Sequence, residues 1–260
     1  MKDVIWVVQY NLVQKNTEWF AQAVQDSGAT LIGVKVIPHS DGEMEFLEQP
    51  AHDNVVPYGS NALVKYAPKN WRGNFFDDDK LRPSEWIKHR DDLLNQKFVL
   101  TTFGEARNHM DDEQSWFVKP NDDLKTFAGE VTNRSAFITW SDKILGKGYA
   151  FDGDLPVIVA PYKDIYSEYR FFIVDNEVVD GTRYKANGRV RGVHLDDKDP
   201  MMEVAREFAR RWLPFPVVSM DLAITSEGVK LIEFGAFNAT GWYDNDLDKI
   251  VRAVNAYMRK

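Results

Sequence analysis

Apolar residues near the N-terminus come in short unbroken runs with a helical repeat between them. The run DVIWVVQY has the length and continuity of a strand buried on both faces. In EWFAQAVQDSG, Trp19, Phe20 and Val24 fall at helical spacing, with Thr17 placed to cap the helix and Gly28 to end it. ATLIGVKVIP is a second strand run, stopped by Pro38. Strand, helix and strand in that order predict a β-α-β unit. Residues 39–54 are polar and read as a loop. NVVPYGSNALVKYAPK then supplies a third short strand, a Gly59-Ser60 turn and a short helix. Pro83 opens a further predicted helix over SEWIKHRDDLLNQ, since proline fits the first turn.

The pattern changes near residue 97. KFVLTTF and SWFVKP read as strands, and RSAFITWSDKILGKG as a helix behind the cap Asn133. LPVIVAPY is a short buried strand. EYRFFIVDNEVVDGTRYK is a hairpin, two apolar runs about Asp175-Asn176. PMMEVAREFARRWL is an amphipathic helix with Pro200 at its start. FPVVSMDLAIT and VKLIEFGAF are strands joined by the turn Ser226-Glu227-Gly228. YDNDLDKIVRAVNAYMRK closes the chain as a helix, with acids at its N-terminal end where the macrodipole favours them. This half is α+β, dominated by antiparallel hairpins, and the chain has no internal repeat.

The chain has 260 residues, with 44% hydrophobic and 28% charged, an ordinary globular balance. The absence of cysteine excludes disulfides, thiolate metal sites and cysteine nucleophiles. Five histidines without an HExxH pattern argue against a zinc enzyme. The net charge of −8 argues against bulk nucleic-acid binding. The opening MKDVIWVVQYNLVQ is too short and too polar for a signal peptide or a membrane span, so a cytoplasmic location is expected.

Charged residues inside apolar runs mark the candidate chemistry. Asp221 in SMDLAI and Glu233 in LIEFGAF are acids on neighbouring predicted strands. A lone buried carboxylate is costly, and two together repel unless a cation lies between them. With Asn238 as a third oxygen donor, they suit Mg²⁺ carried on a substrate phosphate. The bland alternative has Asp221 in solvent and Glu233 paired with an arginine. Lys119 ends the strand SWFVKP; it is either a snorkelling edge residue or a phosphate ligand, and Lys125 is a weaker second cation. Glu168 and Arg170 share a strand face, either as an ion pair or holding a ribose hydroxyl and a phosphate. Arg183 and Lys185 repeat that spacing, and Arg189 and Arg191 follow.

Taken in order, these pieces resemble an ATP-grasp protein: FVKP, then VIVAPY, then EYRFFIV, then Asp221, Glu233 and Asn238. More narrowly, YGS at 58–60, FVKPNDDLKTFAG, EYRFFIVDNEVV and GWYDND are similar to the phage- and bacteria-associated R2K clade. The resemblance implies an α+β ATP-grasp fold, two subdomains holding a nucleotide, over residues 97–260. It places a lid subdomain at roughly 97–160 and an N-terminal Rossmann-like pre-ATP-grasp domain at 1–96. There are two departures. The clade commonly has arginine where Lys119 stands. The usual Glu-x-Asn becomes Glu233-Phe234-Gly235, with the nearest amide at Asn238.

The activity implied is an ATP- and Mg²⁺-dependent carboxylate–amine ligase working through an acyl phosphate, on small-molecule or peptide substrates. The resemblance gives Lys119 and Lys125 to the phosphates, Glu168 to ribose and the backbone of Ala160, Pro161 and Tyr162 to adenine. Asp221, Glu233 and Asn238 hold the metal. Arg183 stabilises the acyl phosphate, supported by Lys185 and Arg170. Two rivals stand beside it. One is a nucleotide-binding module without turnover. The other is ATP-dependent modification of a nucleic acid or protein docked on the Arg189–Arg191 loop.

Overall fold

The computed structural model describes residues 3–12, 17–38, 40–124, 126–146 and 151–260. Lys125, the Thr17 side chain and the last residues of the helix expected after Asn133 lie outside the described residues. Two compact units interleave along the chain. One comprises Met1–Asp77, Ser167–Leu222 and Phe234–Lys260; the other comprises Asp78–Tyr166 and Ala223–Glu233. This is a division by packing; the expected boundary at residues 96/97 is of another kind and stays a proposal.

The first unit begins with β1 (Ile5–Gln9), α1 (Thr17–Asp26) and β2 (Thr30–Val36). β1 and β2 are parallel, with Ile5 opposite Thr30, so the β-α-β unit forms as the pattern predicts. The loop expected over 39–54 contains a short edge strand, β3 (Met44–Phe46), antiparallel to β2. β4 (Val55–Tyr58) joins β1 in parallel, giving the order β3-β2-β1-β4. α2 (Asn61–Tyr66) follows, its first turn capped by the Ser60 side chain accepting from Leu63 N–H. Every residue of β1 is buried. Trp6 and Val8 enter a core with Phe20, Phe172, Phe237 and Trp242, while Ile5 and Val7 enter a second with Leu63 and Trp71. Period-two alternation of side chains feeds both cores. Burying each large side chain contributes roughly 1.5–3 kcal/mol.

In the second unit, the predicted helix over SEWIKHRDDLLNQ shrinks to one turn, α3 (Pro83–Trp86). The reason lies just beyond it. Buried Arg90 grips Asp92 through Nε and Nη2 at 2.8 and 2.7 Å. Residues two apart do not face each other on a helix. The backbone of Asp92 and Leu94 instead bonds to Leu231, with Leu93 in a parallel bridge to it. Next come β5 (Val99–Thr102), β6 (Trp116–Pro120), β7 (Glu130–Thr132), α4 (Arg134–Gly146) and β8 (Pro156–Pro161). Asn133 caps α4 as expected, its Oδ1 accepting from Ala136 N–H at 2.9 Å. The sheet order is β5-β8-β6-β7, all antiparallel, over a core of Phe103, Phe137, Val118, Val157 and Val159. β7 has no counterpart in the sequence pattern, being three residues long.

The remaining elements are β9 (Ser167–Val174), β10 (Glu177–Ala186), β11 (Arg189–His194), α5 (Pro200–Ala209), β12 (Val217–Thr225), β13 (Gly228–Ala236) and α6 (Leu247–Met258). Their sheet runs β11-β10-β9-β12-β13. The β9–β10 turn holds Asp175 and Asn176 at φ 55° and 65°, the two left-handed residues a type I′ hairpin requires. Asn187 and Gly188, at 49° and 75°, do the same for β10–β11, so the basic segment expected as a loop is an edge strand. Gly28 ends α1 at φ 74°. The Asp199 and Asp246 side chains cap α5 and α6.

Candidate active site

In the first unit, β9 and β10 put four charged or hydroxyl side chains in register. Glu168 lies opposite Lys185, and Arg170 opposite Thr182. The Arg170 guanidinium donates from Nε and Nη2 to the two oxygens of Asp221, at 2.8 and 2.7 Å. Its Nη1 donates to Gly241 O at 3.1 Å. Both members of the pair are buried. Asp221 therefore neither faces solvent nor presents a bare carboxylate; its partner is Arg170. Such pairs cost dearly to desolvate, and the bidentate geometry offsets that cost.

Glu168 is engaged on both oxygens. Tyr184 donates to Oε2 at 2.7 Å, and Lys185 to Oε1 at 2.6 Å. Burial, with the Asp221 and Glu168 carboxylates nearby, holds the Tyr184 phenol protonated far above its ordinary value. The Tyr184 ring stacks on Tyr243 with centroids 4.6 Å apart, and Arg170 lies 5.0 Å from the Tyr243 centroid. Two acids, two bases and two tyrosines form one cluster of formally balanced charge, open to solvent at Lys185, whose side chain is 38% exposed. Glu168 and Arg170, expected at ribose and at a phosphate, lie together here with their polar atoms bonded within the cluster. Arg183 is half-buried on the neighbouring strand position, and its Nε has no partner among the described residues.

Asn238 is fully buried. Its Nδ2 donates to Pro57 O and Gly73 O, at 2.7 and 2.8 Å, and its Oδ1 accepts from Phe75 N–H at 2.7 Å. It clasps three backbone segments, and the amide oxygen expected on the metal is the one that accepts from Phe75 N–H. An asparagine after a strand carries no sequence signal that separates these two jobs.

In the second unit, Lys119 sits on β6 opposite Ile158 of β8. Its Nζ lies 3.0 Å from Glu233 Oε2 and 5.9 Å from the Trp86 ring centroid. Burial pulls its basicity down, but Glu233, with Asp123 and Asp122 behind it, more than offsets this, and the ammonium is held above the ordinary lysine value. Glu233 is the more accessible partner, with 27% of its side chain exposed against 18% for Lys119. Beside Lys119 is a small recess walled by Trp86, Phe98, Ile158 and Ile232, among others. Asn121 fixes one wall, accepting from Ser84 N–H and donating to Ser84 Oγ at the start of α3. Of the expected adenine segment, Ala160 is buried opposite Phe117, Pro161 has no N–H, and Tyr162 N–H bonds to Ser115 O. The sequence reading missed Trp86, Ile158 and Ile232. Ile232 adjoins Glu233 in the sequence; Trp86 gave no signal.

A cation, a carboxylate and an apolar recess occur close together here, the recess itself having a cavity of about 10 Å³, the room of about one water. For Mg²⁺ the fit is narrower. Among the described residues no group of three or more His, Asp or Glu is placed to hold a metal ion. Of the three expected metal ligands, Asp221 pairs with Arg170, Asn238 bonds to backbone and Glu233 pairs with Lys119.

A protein-family model described as the ATP-grasp domain, R2K clade family 3, matches residues 58–254. The chain belongs to the ATP-grasp family, in the R2K clade. Its fold is the ATP-grasp fold of mixed α and β elements. Comparison with curated protein sequences gives no match. Among solved structures, D-cycloserine synthetase DcsG superposes with a TM-score of 0.63 at 13% identity, covering 98% of this chain and 99% of that one. D-alanyl-alanine synthetase A from Vibrio cholerae O1 biovar eltor str. N16961 gives 0.57 at 12%, covering all of both chains. The ATP-grasp ligase PsnB, complexed with precursor peptide PsnA2 and AMPPNP, gives 0.54 at 10%, again over all of both chains. At these identities the likeness is one of fold. No helix among the described residues is long and apolar enough to cross a membrane.

Proposed function

We propose that this ATP-grasp chain is an ATP-dependent carboxylate–amine ligase, with residues 1–96 as its pre-ATP-grasp domain. The observation that carries the reading is the Lys119 ammonium, held charged beside Glu233 at the mouth of an apolar recess. Ile158 and Ile232 would flank the base, with the backbone of Ala160, Pro161 and Tyr162 along its edge. Lys119 would leave Glu233 for the α- and β-phosphate oxygens, and Glu233 would hold Mg²⁺, which supplies charge neutralisation on the phosphates when bound. The carboxylate substrate takes the γ-phosphoryl group, giving an acyl phosphate and ADP. An amine then attacks the acyl carbon, loses a proton and displaces phosphate. No protein nucleophile is needed, in keeping with a chain without cysteine. Catalysis of this kind is positioning and electrostatics. Arg183 is kept for the acyl phosphate, because its Nε lacks a partner, with Lys185 supporting it. DcsG and D-alanyl-alanine synthetase A are synthetases and PsnB is a ligase complexed with a peptide, which supports small carboxylates and peptides as the substrates to try.

A binding module without turnover is the second reading. It is favoured by the closed Arg170–Asp221 pair and by the clasp made by Asn238. The two readings part on ADP release. Protein, ATP, Mg²⁺ and hydroxylamine are incubated with pools of amino acids and short peptides. ADP with a matching hydroxamate supports the ligase. Nucleotide binding with no ADP from any pool supports the module.

A further inference from the structure

β11 is the terminal strand of the five-stranded sheet and is registered to β10 alone. Five of its six residues are exposed, Val190 to 74%. Its other edge carries main-chain N–H and C=O groups, a template for another strand. Two arginines, Arg189 and Arg191, alternate along it and make no ion pair among the described residues, in a chain of net charge −8. By strand alternation they share a face. The register also shifts in this strand: Lys185 is opposite Val190 and Arg183 opposite Val193, so Arg191 and Gly192 together fall across from Tyr184 as a bulge.

We propose that the free edge of β11 is a docking strand for an extended acidic polypeptide segment, which adds to the sheet as a sixth strand. Main-chain bonds to the edge would supply affinity. Carboxylates at every second position of the incoming segment would meet Arg189 and Arg191. Val190 would pack against an apolar residue between them. A nucleic acid offers phosphates to the arginines but nothing to a row of peptide N–H and C=O groups, so the edge favours a polypeptide. The inference is independent of the ligase reading.

The test uses a fluorescein-labelled eight-residue peptide alternating Glu with Val or Thr, read by anisotropy. Controls are the same peptide with Lys for Glu and a single-stranded oligonucleotide. The acidic peptide is expected to bind saturably and to weaken as salt rises. Val190→Pro removes the N–H that the two-residue turn at Asn187-Gly188 directs to the outer edge, and should weaken binding at least about tenfold, the scale of one or two lost hydrogen bonds. Arg189→Glu/Arg191→Glu should reverse the preference toward the Lys peptide. Unchanged melting of both variants confirms that the fold is intact. If the acidic peptide fails to bind, or binds Val190→Pro equally well, the arginines only guard the edge and the proposal is wrong. Tighter binding of the oligonucleotide, unaffected by the proline, would overturn it in favour of a phosphate backbone.

Discussion

Truncating Asp221 takes the bidentate acceptor away from a guanidinium that is only 10% exposed. Breaking a buried pair from one side typically costs about 3–5 kcal/mol. Asp221→Ala is therefore expected to lose that much in urea unfolding. Replacing both partners, as Arg170→Met with Asp221→Leu, should lose far less, because no charge is left behind. An equal loss in both would show that the pair is held by its surroundings rather than by its charge. Lys119 carries a pH prediction. Its folded-state pKa is raised, so the pair with Glu233 stabilises fully below the unfolded value of 10.5. That contribution falls as pH rises through the higher folded value. Wild type should lose stability relative to Lys119→Met above pH 10.5 and not below it. These charged residues were visible in the sequence because each interrupts an apolar run. Their partners were not, since Arg170 and Asp221 are 51 residues apart and Lys119 and Glu233 are 114 apart. Spacing within one strand pointed to Glu168 with Arg170, whereas the cross-strand register gives Glu168 to Lys185.

One helix start was legible from its cap, Asn133 before α4, whereas the caps Ser60, Asp199 and Asp246 were not singled out. Asp199 accepts from Met201 N–H at 2.8 Å just before Pro200. Asp199→Ala should cost about 1 kcal/mol in thermal or urea unfolding, the usual worth of such a cap. Asp199→Asn should cost much less. The hairpins were legible from Asp175-Asn176 and Ser226-Glu227-Gly228, since few residues accept positive φ; Gly228 sits at 94°. Short edge strands were not. β3 and β7 have three residues each, too few to show alternation, and β11 shows charge at two alternate positions, Arg189 and Arg191, where a loop was expected. The lost helix after Pro83 has a similar cause. SEWIKHRDDLLNQ has helical composition, but backbone bonds to Leu231 and the Arg90–Asp92 clasp outcompete local propensity.

For the molecule as a whole, order along the chain was informative: lysine before proline, a buried strand, a hairpin, then two acids. The fold is shared with the PsnB ligase at only 10% sequence identity. The order cannot encode which side chains close on one another. The account stands on nucleotide binding at Lys119 and Glu233. The direct measurement is a thermal melt with Mg²⁺ and AMPPNP, on wild type and on Lys119→Ala and Glu233→Gln. At a hundred times its dissociation constant a ligand adds about 2.7 kcal/mol, roughly 5–10 °C for a chain of this size. A rise of that order in wild type, lost in both variants, is the predicted result. No rise at saturating nucleotide, or an equal rise in all three proteins, would contradict it.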